Sequence, residues 1–130
     1  MRFALATALA CLALPAFAQG QGGGGWTLIS VGGTAAEPGG GIAFSADGAV
    51  FGSTGCNRFQ TTAVSAPGVL TFMDLGATTR MACPGALDAQ EAQVLSALKG
   101  TVGVAYDPVG ERMILIPQDD APVLGFVRAD

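Results

Sequence analysis

The chain contains no histidine. That removes the commonest general base and rules out Ser-His-Asp and Cys-His nucleophile systems. One formal catalytic match remains, Ser96-Ala97-Leu98-Lys99, which has the Ser-x-x-Lys spacing of penicillin-recognising enzymes. Those enzymes also need Ser-Asp-Asn and Lys-Thr-Gly elements, and here there is one lysine and one asparagine in the whole sequence. Asp119-Asp120 sits between prolines and reads as a solvated turn, because calcium would need several more oxygen ligands at short spacing. No catalytic residue, cofactor or metal is expected.

The cysteines are more informative. Cys11 lies in an N-terminal segment with the marks of a cleavable export signal: Arg2, a run of 12 apolar and small residues from Phe3 to Leu14, Pro15, and the small-x-small site Ala16-Phe17-Ala18. The run is too short to span a bilayer, which takes about 20 residues. Ala8-Leu9-Ala10-Cys11 is a poor lipobox, since the apolar run continues past the cysteine. Residues 1–18 are therefore expected to be removed as a signal peptide, sending the protein to the periplasm or the medium. Cys56 and Cys83 remain, and an even count in an exported chain favours a disulfide over two buried thiols. Such a bridge would stabilise the fold by about 3–4 kcal/mol. A structural zinc site would be half empty with only these two thiolates.

Cleavage after Ala18 leaves 112 residues, enough for one domain, with five basic and ten acidic side chains. A net charge of −5 with a single lysine gives no footprint for nucleic acid or an anionic membrane. No other stretch is long and apolar enough to span a bilayer.

The elements that must position these residues are mostly strands. Residues 19–25 form a Gly/Gln linker, and 26–130 the folded domain. Asp47-Gly48 predicts a two-residue type I′ hairpin between Ile42–Ala46 and Ala49–Ser53, with Phe44 opposite Phe51. Ala66-Pro67-Gly68-Val69 predicts a type II turn between Phe59–Val64 and Val69–Met73. Asp107-Pro108-Val109-Gly110 predicts a type I turn between Val102–Tyr106 and Arg112–Ile116, and Val123–Val127 makes a last strand. Only Asp88–Lys99 has helical spacing, through Val94, Leu95 and Leu98. Asp88 and Glu91 fit a capping box there, and Gly100 a stop. The fold class is α+β: curled antiparallel hairpins, open-barrel-like, packed on a single helix.

Asp47-Gly48-x-x-x-Gly52-x-x-Gly55-Cys56-Asn57-Arg58-Phe59, then Thr79-Arg80-Met81-Ala82-Cys83 and Glu91, resembles the META domain of HslJ-like heat-shock proteins. Trp26-Thr27-Leu28 and the closing apolar strand fall where that family has them. Gln60-Thr61-Thr62-Ala63 departs from the glycine and aromatic residue that family members often carry after the phenylalanine. The resemblance implies a compact α+β envelope domain associated with stress or antibiotic tolerance, with no reaction attached.

If Cys56 and Cys83 are bridged, Asn57, Arg58, Thr79 and Arg80 come together, with Glu91 one turn into the adjacent helix. They would form either an exposed anion or partner site, or a polar network in which an arginine pairs with Glu91 and Asn57 serves backbone groups. The leading function is a non-enzymatic envelope protein that binds an unknown envelope partner in stress tolerance. A small apolar-ligand carrier and an inhibitor of an extracellular hydrolase are the alternatives.

Overall fold

Alternation decides which side of each strand faces inward. Along 58–62, Phe59 and Thr61 are buried while Arg58, Gln60 and Thr62 are exposed; along 112–116, Met113 and Leu115 are buried while their neighbours are exposed. This period of two gives each strand one apolar face to bury. A computed structural model describes residues 25–129, so the signal peptide and residues 19–24 of the linker lie outside the described residues.

In chain order the elements are β1 (Gly25–Val31), β2 (Thr34–Ala35), β3 (Gly40–Phe44), β4 (Ala49–Thr54), β5 (Arg58–Ala66), β6 (Val69–Phe72), β7 (Ala77–Thr78), α1 (Ala86–Ala97), β8 (Gly100–Asp107), β9 (Arg112–Pro117) and β10 (Leu124–Arg128). Gly25, at the end of the expected linker, already belongs to β1. Strands β1, β3, β4, β5, β6, β8, β9 and β10 pair antiparallel in that order, and β10 returns to β1 through Trp26↔Arg128 and Leu28↔Phe126. The sheet is therefore a closed eight-stranded barrel, not the open curl expected from the hairpins. Closure removes both sheet edges. β2 and β7 are short additions on β1 and β5.

An eight-stranded barrel is just wide enough for side chains to fill it or for one small ligand to enter. Here Leu28, Val50, Phe59, Phe72, Val102, Leu115, Leu124 and Phe126 fill the middle. Helix α1 packs on β1, β4 and β9 and adds Val94 and Ala97 to the same core, with Leu98 just past its end. Gly52 pairs with Phe59, whose ring occupies the space a side chain at 52 would need.

Two local expectations are corrected. In the β3–β4 hairpin Phe44 faces Val50, not Phe51. Gly48 has φ +93° but Asp47 keeps a negative φ, so the turn takes in Ser45, with Gly48 N–H donating to the Ser45 carbonyl at 3.1 Å. That is a type I turn with a glycine bulge, and the register moves by one. Val50 points in and Phe51 points out, 46% exposed. The helix starts at Ala86, after Gly85 with φ +54°, and has no side-chain cap. Asp88 is in its first turn, where its charge suits the helix dipole. Glu91 turns away to Thr54 instead of completing a capping box.

Among the described residues no helix is long and apolar enough to cross a membrane.

Candidate functional site

The two ends of the barrel differ in chemistry. At one end the β4–β5 turn meets the segment that leads into α1. Gly55 takes φ +104° there, and a Cβ on it would lie 2.9 Å from Gln90 Nε2, so the backbone lies directly against the helix. Cys56 and Cys83 are joined in a disulfide, with Cα atoms 5.8 Å apart.

Asn57, 1% exposed, organises this corner. Its Oδ1 accepts from the Met81 N–H at 2.7 Å and from the Thr79 hydroxyl at 2.9 Å, and its Nδ2 donates to the Met81 carbonyl at 3.1 Å. The same Nδ2 lies 3.4 Å from the Cys83 sulfur. Thr79 is tied further to Arg58, whose N–H donates to Thr79 Oγ1 at 2.9 Å while the Thr79 N–H donates to the Arg58 carbonyl at 2.9 Å. One side chain thus clamps residues 79–81 to the start of β5.

Arg58 and Arg80 are exposed, and neither forms an ion pair with Glu91; the ion pair among the described residues is Arg128–Glu111, at 3.9 Å. The expected arginine–Glu91 pairing is replaced by a hydroxyl contact. Thr54, fully buried, donates to Glu91 Oε1 at 3.1 Å and accepts from the Cys56 and Asn57 N–H groups at 3.3 and 3.1 Å. Glu91 Oε2 lies 3.5 Å from the Cys83 sulfur, which as half of a disulfide has no proton to offer. Arg58 and Arg80 point to solvent because the backbone and Asn57 already satisfy the polar groups beside them.

At the other end lie Trp26 of β1, the β3–β4 turn, the β5–β6 hairpin, Tyr106 of β8 and Met113 of β9. They surround a cavity of about 700 Å³ open to solvent. Phe44, Ala63, Leu70 and Val104 complete an apolar wall, with Ser45 and Asp47 at the rim. Trp26 and Tyr106 meet edge to face with centroids 5.7 Å apart. The Arg128 guanidinium stacks 4.7 Å from the Trp26 ring centre and donates to the Tyr106 hydroxyl at 3.2 Å. This wall is braced before any ligand arrives.

Residues 19–130 match the META domain. The chain belongs to the META domain family. Two solved structures share its fold. One, an NMR structure, has a TM-score of 0.69 at 24% sequence identity, over 91% of this chain and 97% of that one. The other, an NMR structure of a protein from Burkholderia xenovorans, has a TM-score of 0.62 at 27% identity, over 82% of this chain and 81% of that one. No curated protein matches the chain.

In this META domain, Gly55 through Phe59, Thr79 through Cys83 and Glu91 converge on the disulfide end, where they build the corner. Sequence reasoning missed two buried polar residues there. Thr54 is one. Gln90 is the other: its amide donates to the Thr54 carbonyl at 2.8 Å, and its Oε1 accepts from the Glu37 N–H at 2.7 Å. Gln90 lies between Leu87 and Val94 at helical spacing, and a polar residue on that apolar face was a readable signal. The mouth of the META domain was missed as a site because its residues come from six separate strands and two turns.

Proposed function

We propose that this META-domain protein is an exported, non-enzymatic stress protein that binds a small apolar ligand in the open mouth of its barrel. The observation that carries the reading is the cavity of about 700 Å³, walled by Trp26, Phe44, Leu70, Val104, Tyr106 and Met113. Ligand sites are commonly about 300–1,000 Å³, apolar, and edged by a few polar groups. Leu28, Val50, Phe59, Phe72, Val102, Leu115 and Leu124 are buried in the core that the mouth opens onto, which supports a cup rather than a channel. The sequence supports the rest of the reading: no histidine and no complete catalytic motif, and an N-terminus with the pattern of an export signal.

Trp26 is the only tryptophan and lies in the wall, so its fluorescence reports on occupancy. Titration with the neutral apolar probe N-phenyl-1-naphthylamine should change that fluorescence saturably, with one probe per chain. Ala63→Phe fills the mouth and should abolish the effect while leaving the melting temperature nearly unchanged. If Ala63→Phe binds the probe as the wild type does, the mouth is not the site. Export is tested separately by fractionation and mass: the protein should be recovered from the periplasm and begin at Gln19, and an intact Met1 on protein confined to the cytoplasm refutes it.

A further inference from the structure

The disulfide corner holds three potential metal ligands that no expectation had grouped. One ligand atom each from Cys56, Cys83 and Glu91 lie within 4.8 Å of one another, all partly buried. Two cysteines alone could not make a zinc site, but the fold brings up a carboxylate as a third ligand. We infer that reduction of the Cys56–Cys83 disulfide turns this corner into a site for a thiophilic divalent cation such as zinc, held by the two thiolates and Glu91, with the fourth position open to water.

Three observations carry this. First, the corner does not depend on the bridge for its shape. Five hydrogen bonds join Asn57 and Arg58 to Thr79 and Met81, and none involves a sulfur. After reduction the two sulfurs should therefore stay face to face. Second, the spacing suits the ion. Zinc takes thiolate sulfur at about 2.3 Å and carboxylate oxygen at about 2.0–2.2 Å, which puts ligand atoms about 3.6–3.8 Å apart in a tetrahedron. Glu91 Oε2 already stands 3.5 Å from the Cys83 sulfur, so the main movement is the parting of the two sulfurs. Third, the ligands lack a cation of their own. Arg58 and Arg80 face solvent and form no ion pair with Glu91. A divalent cation that displaces the two thiol protons offsets the charge of the two thiolates and the carboxylate. Thr54 fixes Glu91 from the other side, as outer partners orient metal-bound carboxylates.

The chemistry balances. A dithiol reductant gives two electrons and two protons to the disulfide and is itself oxidised to a disulfide. The cation then displaces the two thiol protons and forms two metal–sulfur bonds and one metal–oxygen bond. Oxidation reverses the sequence and releases the ion, so the corner exchanges a covalent bridge for a metal bridge.

The test uses the mature chain reduced with a phosphine, which takes up the oxygen of one water as the disulfide becomes two thiols. The reductant is then removed and cadmium alone is added. One cadmium per chain should bind, with a thiolate-to-cadmium charge-transfer band and release of two protons. Cys56→Ser should cut the band to half or less, and Glu91→Gln should weaken binding by about tenfold or more. Cadmium NMR on the wild-type chain should show a shift between those of all-thiolate and all-oxygen sites, so the ligand set is read without relying on a variant. Binding with no oxygen ligand, no binding at all, or unfolding of the reduced chain before metal is added would each overturn the inference. None of these outcomes bears on the barrel mouth, which the naphthylamine titration tests independently.

Discussion

The two ends of the barrel are built on opposite principles. The disulfide end is closed and polar: Asn57 and Gln90 are buried and hydrogen-bond to backbone from distant parts of the chain, and buried Thr54 reaches the carboxylate of Glu91. The mouth is open and apolar, and its walls are aromatic and aliphatic side chains with free volume between them. Buried polar groups tolerate little error, since each one left without a partner costs about 1–3 kcal/mol. Apolar walls tolerate exchange of similar volumes at little cost. Stability should therefore be concentrated at the closed end, and substitutions at the mouth should alter binding first.

The largest effect should come from Asn57→Ala. It strips partners from the Met81 N–H, the Met81 carbonyl and the Thr79 hydroxyl together, so a loss of about 4 kcal/mol is expected in denaturant melts. Removing the disulfide with Cys56→Ser should cost about 3 kcal/mol, somewhat less, because the clamp remains. The order of these two numbers is the sharp part of the comparison. Were the cysteine variant much the weaker, the clamp would depend on the bridge, and the reduced corner would lose its shape.

Arg80→Ala should fall far below both, within about 0.5 kcal/mol, as for most exposed positions. A loss of several kcal/mol would mean that Arg80 is partnered in solution and that the closed end extends to the surface there.

How much of this was legible in the sequence follows the same division. Pro67-Gly68 announced its turn, and the structure has it as the two-residue link between Ala66 and Val69, with Gly68 at φ +74°. Such signals are local and need no knowledge of the rest of the chain. Barrel closure was not legible, because it rests on β1 meeting β10 from opposite ends of the domain, and nothing in Trp26 or Arg128 names the other. The β3–β4 register failed for a subtler reason. Asp-Gly suits a type I′ turn only if the aspartate accepts positive φ, and here its carboxylate is engaged with Ser45 and Ala49 instead. At the candidate site, spacing brought the right residues to the corner but chose the wrong partner for Glu91. An arginine–carboxylate pair is the default guess from composition, whereas the choice of Thr54 depends on which face of α1 meets β4.

That same engaged aspartate gives the smallest and most specific test of the mouth. The Ser45 hydroxyl first, and then the Ala49 N–H, hold the Asp47 carboxyl below its usual range. A carboxylate depressed in the folded state contributes to the turn at all pH values above its unfolded pKa, about 3.9. That contribution is lost as the pH falls through the lower folded value. Nothing should change between neutrality and about pH 5; below about pH 4 the Ser45–Gly48 turn should loosen. Because Asp47 is exposed, global stability is the wrong readout. The Ala49 amide is the right one: its NMR shift should titrate at acid pH in the wild type and stay flat in Asp47→Asn, which keeps an oxygen acceptor but no titrating group. Since Asp47 stands on the rim, affinity for the naphthylamine probe should weaken over the same pH window in the wild type alone. An Ala49 titration that persists in Asp47→Asn would show that the rim takes its pH response from another acid.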